Sequence, residues 1–485
     1  MLPRSTSSGI HRMPKRLRPL SGLDASFLYL EAMGTPMHVG SLMLLEVPAR
    51  SDGTAPDFRA ALVQHLRRRL PKATALRRVL EHTPLDLGHP MWREDAAIDL
   101  DQHIIAIRLK RPGSMTQLRT LVATLHAQPL ARDKPLWQFI VIEGLASGEI
   151  ALYSKVHHAL LDGQGGIALA QALLDLDARG RGHDQPTPEM ENSPEARTRD
   201  VIGVALRSTI AQFGKLFRAI PATVKVAAQA VRSAEGSLLG RIRDSVALAP
   251  RTPFNVQVGP QRSYATLSLP LGQLKHLAKA LGVSLNDIVM ALCAGALRQW
   301  LLKQGKLPKK PLVAAMPISL RAAGDTEINN QASMAQCELA THLAQPMERL
   351  RAIHAATRSI KNKVANLRSL IPTDYPGLAA PIWMSGLSRL WARGRIAERL
   401  PPLANVAISN VPGPPFDVYL AGARLKHYWP VSIITHGIAL NITVQSYGSW
   451  LEFGIVACKD VIPKLDALVK GIEQELAALA TCAEE

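Results

Sequence analysis

Apolar residues gather in short runs along this chain, and their spacing switches between two and three-or-four from run to run. SLMLLEV, from Ser41 to Val47, reads as a strand. Residues 57–70 and 115–127 place apolar side chains three and four apart, the period of a helix with one buried face. WQFIVIE (Trp137–Glu143) and IALYSKV (Ile150–Val156) are two more strands, joined as a hairpin across Gly144 and Gly148. After Gly165 and Gly166, IALAQALLDLDA predicts a helix by both propensity and period.

Residues 179–199 are polar, charged and rich in proline, the composition of a linker. Residues 200–220 then set Ile202, Leu206, Ile210, Phe213, Phe217 and Ile220 on one helical face, with Arg207, Lys215 and Arg218 elsewhere and Pro221 ending the run. Such a helix suits either a lipid interface or packing on its own domain. A second domain begins near Gln261 with the strand YATLSL, a helix over Leu271–Leu281, and a long helix capped by Ser284 that runs to Trp300. Strands are predicted at 312–316, 404–409, 431–434, 438–446 and 451–458, and a closing helix runs from about Pro463 to Cys482. Strands and helices alternate in both halves, so the fold class is α/β with mixed sheets. The expected division is a basic extension over 1–19, a first domain over 20–178, a linker and amphipathic crossover over 179–260, and a second domain over 261–485.

Charge narrows the partners. Lys and Arg number 57 against 39 Asp and Glu, a formal net charge of +18 over 485 residues. That surplus favours polyanions such as an anionic membrane or a phosphate-rich cosubstrate, although an evenly basic, solvated surface gives the same count. Nucleic acid is set aside: aromatics are 5%, and the densest basic run, Arg67-Arg68-Arg69, lies inside an ordinary helical pattern. The four cysteines, Cys293, Cys337, Cys458 and Cys482, form no C-x-x-C pair, so neither a metal site nor a disulfide scaffold is expected. No apolar stretch follows the basic residues Arg4 to Arg18, so they do not read as a secretory signal, and Met13 is a second candidate start. No window holds 18 uninterrupted apolar residues, so contact with a membrane is expected to be peripheral.

The chemistry concentrates in His157-His158-Ala159-Leu160-Leu161-Asp162-Gly163. A pattern H-H-x-x-x-D-G arises by chance in about one chain in a thousand of this length. Adjacent residues leaving a strand point to opposite faces, so the two histidines are poorly placed to ligate one metal, and only one should meet substrate. A single imidazole suits acyl transfer from a thioester, which is already activated and needs only a base to take the hydroxyl proton of the acceptor. Asp162 can shape the loop, and Gly163 permits backbone angles that other residues resist. The alternative is a pair of histidines satisfied by backbone carbonyls at a strand end.

HHALLDG, the preceding Pro135-Leu136-Trp137, LSGLDASFLYLE (20–31), PMHVG (36–40), SLNDIVMALCAGALR (284–298) and ISNVPGP (408–414) together resemble the bacterial wax ester synthase/diacylglycerol acyltransferases. The matching blocks run in order over nearly the whole chain. The resemblance implies two chloramphenicol acetyltransferase-like domains with a tunnel between them. It implies long-chain acyl-CoA as donor, diacylglycerol or a long-chain alcohol as acceptor, and no cofactor. It assigns the base to His158, a supporting role to His157, and a loop-holding role to Asp162 through an arginine. Asn286 and Asp287 fall on the family's Asn-Asp motif and, with Gly163, are candidates for contact with substrate, although Ser284-x-x-Asp287 is a capping box that starts a buried helix, which is the first reading for Asp287. Trp137 reads as core, and the ISNVPGP turn as either a rigid corner or a tunnel wall. His436 and Pro415 depart from the family pattern, which bears on substrate range. The scattered cysteines fit a reducing cytosol, and a cytoplasmic enzyme resting on the inner membrane face or on lipid bodies is expected. Competing readings are another acyltransferase of the superfamily fed by a carrier protein, and a non-catalytic coat protein of lipid droplets.

Overall fold

The computed structural model describes residues 17–31, 34–48, 57–83, 89–94, 98–160, 169–170, 172–180, 248–319, 332–367, 398 and 400–484. Most of the basic extension, Asp162 and Gly163 with the rest of the motif loop, and the amphipathic run 200–220 lie outside the described residues.

Two six-stranded mixed sheets organise the chain. The first has the order β12 (Tyr419–Leu420), β13 (Ala423–Val431), β2 (His38–Glu46), β7 (Ile150–His157), β6 (Trp137–Glu143), β5 (Ile104–Arg108). It is antiparallel except between β5 and β6. The second has the order β10 (Ala332–Glu338), β9 (Val313–Ser319), β11 (Val406–Val411), β14 (Leu440–Tyr447), β15 (Trp450–Cys458), β8 (Arg262–Pro270), with β11 parallel to both its neighbours. A small third sheet joins β1 (Leu17–Pro19), β4 (Met91–Glu94) and β3 (Arg78–Glu81).

Alternation along the strands divides the interior into three cores. In β2, Met43 and Leu45 turn toward the helices α1 (Gly22–Leu30) and α2 (Phe58–Arg69), while Leu42 and Leu44 turn the other way, toward α4 (Met115–His126). A short helix, α3 (Leu100–His103), leads into β5. The core under α4 also takes in Tyr264, Trp429, Val456 and Cys458, so it is where the two sheets meet. The third core lies against the second sheet, under α5 (Leu271–Ala280), α6 (Leu285–Lys303), α7 (Pro346–Leu367) and α8 (Asp466–Glu484). Together α5 and α6 have the length and hydropathy of a membrane span, but they bend by 101° and supply much of this core. No single described helix is long and apolar enough to cross a membrane.

Three expectations change. Of the strand expected at 431–434 only Val431 is strand: it ends β13, which begins eight residues earlier and pairs with β2 in the first sheet. A bulge between Leu425 and His427 breaks its alternation, and Pro430 reads as a strand breaker, so the pattern hides it. The helix expected after Gly166 has its last described helical residue at Leu173. Asp175 forms a β-bridge with Tyr419, and Arg69 holds its buried carboxylate at 2.5 Å. The polar helix α7, the helices α1 and α3, the edge strands β5, β10 and β12 and the three strands of the small sheet are additional elements.

β13 brings the second half of the chain into the first sheet and locks the two sheets face to face. Tyr264 donates to the Pro430 carbonyl at 3.2 Å, and the Trp429 indole donates to Ser268 at 2.9 Å. Gly454 lies so close under the Pro430 carbonyl that there is no room for a Cβ.

Candidate active site

The two motif histidines sit where β7 ends. His157 is its last residue, 1% exposed, and pairs in register with His38, the first residue of β2. By alternation it shares a face with Tyr153 and Lys155, toward the core between the sheets. His158 opens a single turn of 3-10 helix and meets α1 instead: its ring stacks on Phe27 with centroids 3.9 Å apart and planes 18° from parallel. The expected splitting of the pair is therefore observed.

Each ring is fixed differently. The Ala159 N–H donates to His157 Nδ1 at 3.1 Å, which leaves the proton of a neutral ring on Nε2, 3.6 Å from Glu31 Oε1. The backbone N–H of His158 donates to the Met37 carbonyl at 2.8 Å. Part of its surface is accessible, yet protein crowds the ring closely enough that burial lowers its pKa to about 4. Its own carbonyl pulls the other way, and the neighbouring His157 adds to the lowering. Nδ1 of His158 is buried with no hydrogen-bond partner among the described residues. The result is an imidazole that is neutral at physiological pH and able to accept a proton.

The supporting side chains were not singled out from the sequence. Glu31, the last residue of the LSGLDASFLYLE block, accepts from the Met37 N–H at 3.0 Å and from Arg132 at 2.8 Å. Burial alone would raise its pKa, but His157, Arg132 and the Met37 amide outweigh that and hold it at about 2. Below the pair, His38 Nε2 donates to the His126 carbonyl at 2.9 Å, and His126 binds the Tyr153 hydroxyl at 2.7 Å and the Ser432 carbonyl at 2.9 Å. Burial lowers His126 to about 3 and His38 well below the ordinary range. The same desolvation lowers Lys155 to about 8, with its ammonium on the Leu125 and Gln128 carbonyls. His436 accepts from the Val258 N–H at 3.2 Å. The blocks LSGLDASFLYLE and PMHVG held the signal for Glu31 and His38.

Asn286 and Asp287 stand elsewhere, at the start of α6. The capping box is complete: the Asp287 N–H donates to Ser284 Oγ at 3.2 Å, and the Ser284 N–H donates to the Asp287 carboxylate at 2.9 Å. That carboxylate also takes Thr357 at 2.6 Å and His354 at 2.8 Å from α7. Burial pushes its pKa up, but these donors win and keep it lowered. No hydrogen bond joins Asn286 or Asp287 to either motif histidine among the described residues, and the half-buried Asn286 amide has no partner there. Trp137 is core: its indole donates to the Leu76 carbonyl at 2.8 Å and its ring stacks on His103. In ISNVPGP, Asn410 and Pro412 are exposed, while Gly413 packs against the Ser446 carbonyl with no room for a Cβ. No group of three or more metal-ligating side chains occurs among the described residues.

Comparison with known proteins places this geometry. Residues 20–289 match the wax ester synthase/diacylglycerol acyltransferase catalytic domain, and residues 328–480 match the C-terminal domain of the same enzymes. The chain belongs to the wax ester synthase/diacylglycerol acyltransferase family. A Mycobacterium tuberculosis protein named as a diacylglycerol O-acyltransferase is 36% identical over 95% of this chain and 99% of its own length. The O-acyltransferase WSD of Acinetobacter baylyi is 33% identical over 95% and 96%. The wax ester synthase/diacylglycerol acyltransferase structure from Marinobacter aquaeolei superposes with a TM-score of 0.67 at 30% identity, covering 96% of this chain and all of that one. The first condensation domain of the CDA synthetase shares the two-domain fold alone, at 16% identity and a TM-score of 0.54.

Proposed function

We propose that His158 is the general base with which this O-acyltransferase moves a long-chain acyl group from CoA to a lipid alcohol, giving triacylglycerol from diacylglycerol or wax ester from a fatty alcohol. The observation that carries the proposal is the neutral imidazole of His158, partly accessible, stacked on Phe27 and backed by a buried polar layer. Nε2 takes the acceptor's hydroxyl proton as the oxygen attacks the thioester carbonyl. The C–S bond then breaks, and the imidazolium returns the proton to the departing thiolate, leaving ester and free CoA. No covalent nucleophile and no cofactor take part; acyl-CoA is a substrate. His157 supports the geometry. Asp162 has an orienting role, and Gly163 and Asn286, whose half-buried amide has no partner among the described residues, are candidates for contact with substrate. Donor and acceptor reach His158 by a passage between the two halves.

The surplus of 57 basic over 39 acidic residues suits both the phosphates of CoA and an anionic surface. In this reading the enzyme sits peripherally on the inner membrane face or on lipid bodies. The test supplies purified protein with palmitoyl-CoA and either hexadecanol or diacylglycerol, following thiol release and neutral lipid together. Ester formed one-for-one with thiol is the expected result. Thiol without ester marks a thioesterase and ends the proposal.

A further inference from the structure

The link between α1 and β2, residues Glu31 to His38, passes directly behind the histidine pair, and its described part is held from several sides. The Glu31 side chain is 8% exposed, and each oxygen of its carboxylate has a separate task. Oε1 takes the Met37 N–H at 3.0 Å and faces His157 Nε2 at 3.6 Å. Oε2 takes Arg132 at 2.8 Å. The same arginine donates to the Leu28 carbonyl at 3.0 Å, tying the carboxylate to the helix that carries Phe27. Met37 then passes the constraint on, because its carbonyl receives the His158 N–H at 2.8 Å. From the second half of the chain, Arg262 donates to the Gly34 carbonyl.

Phe27 and Glu31 are four residues apart, one helical turn, so they lie on the same side of α1 and its end. One sets the plane of the His158 ring and the other the position of its backbone. We infer that Glu31 is a positioning residue for the base, acting with Arg132 through His157 and Met37. The sequence resemblance gives Asp162 a different task, holding the motif loop through an arginine; Glu31 and Arg132 come from outside the motif.

A charged carboxylate beside this pair also favours the positive charge that arises when His158 takes its proton, so the effect belongs to turnover more than to substrate binding. Glutamine is isosteric and keeps an acceptor for Met37, but it loses the charge and offers Arg132 a donor in place of an acceptor.

The inference rests on His158 being the base, so the test carries its own control. Glu31→Gln, Arg132→Gln, the double variant and His158→Ala are assayed with palmitoyl-CoA and hexadecanol, with thermal melting of each. Glu31→Gln should lower kcat by about 10–100-fold while KM for acyl-CoA stays within about threefold. Arg132→Gln should lower kcat several-fold in the native background and add little to Glu31→Gln, because the two act as one unit. Unchanged kcat in Glu31→Gln, or additive losses in the double variant, overturns the positioning role if His158→Ala is inactive. If His158→Ala keeps full activity, it is the assignment of the base that falls.

Discussion

At the level of single residues, the site rests on an imidazole that burial holds neutral. His158, lowered to about 4, stays uncharged, with a proton on one ring nitrogen only, until the medium becomes strongly acidic. As the proposed base it is therefore competent from pH 5 upward. The acid limb of kcat/KM should lie below pH 5, not at the ordinary imidazole value near 6.5. A pH–rate profile between pH 4.5 and 8 checks this, and a limb centred between 6 and 7 contradicts it. The pair His157–His158 was legible because its spacing is rare and its chemistry specific. Glu31, Arg132, His38 and His126 were not, since each becomes functional only through a partner distant in sequence: Arg132 lies 101 residues from Glu31, and Ser432 lies 306 from His126.

Among the elements, α6 was the most readable, because its signal is local. Ser284 and Asp287 close a capping box over three residues, and the apolar run that follows is buried. The structure adds what local pattern cannot contain: Asp287 also anchors α7 through His354 and Thr357. Asp287→Ala should therefore destabilise the fold by about 2–4 kcal/mol, through loss of the cap, of the buried Thr357 hydrogen bond and of the part-buried His354 one. Below its melting temperature the variant's specific activity should stay within a few-fold of native. Urea unfolding beside an activity assay decides it; full stability with lost turnover would move Asp287 into the reaction. β13 marks the opposite case. Its bulge and Pro430 erase the period of two, and its partner β2 lies nearly 400 positions earlier, so nothing nearby in sequence announces the pairing.

Across the whole molecule, the mixed α/β class and most strands followed from hydrophobic spacing, while the way the halves interlock did not. A division at Gln261 suggests two independent sheets, yet β12 and β13 complete the first sheet from the second half of the chain. That exchange builds the core between the sheets, and His126 reaches Ser432 across it. The proposed catalytic corner thus draws on both halves: β7 and the turn after it supply the histidines, α1 supplies the stacking ring, and Arg262 steadies the strap behind them. The measurement that bears most directly on this account is the acyl-transfer rate of His158→Ala beside native enzyme, at saturating palmitoyl-CoA and alcohol, with circular dichroism and melting of both. The account predicts an intact fold and a rate lower by about 10²–10⁴-fold. A well-folded variant that still forms ester at the native rate would contradict it.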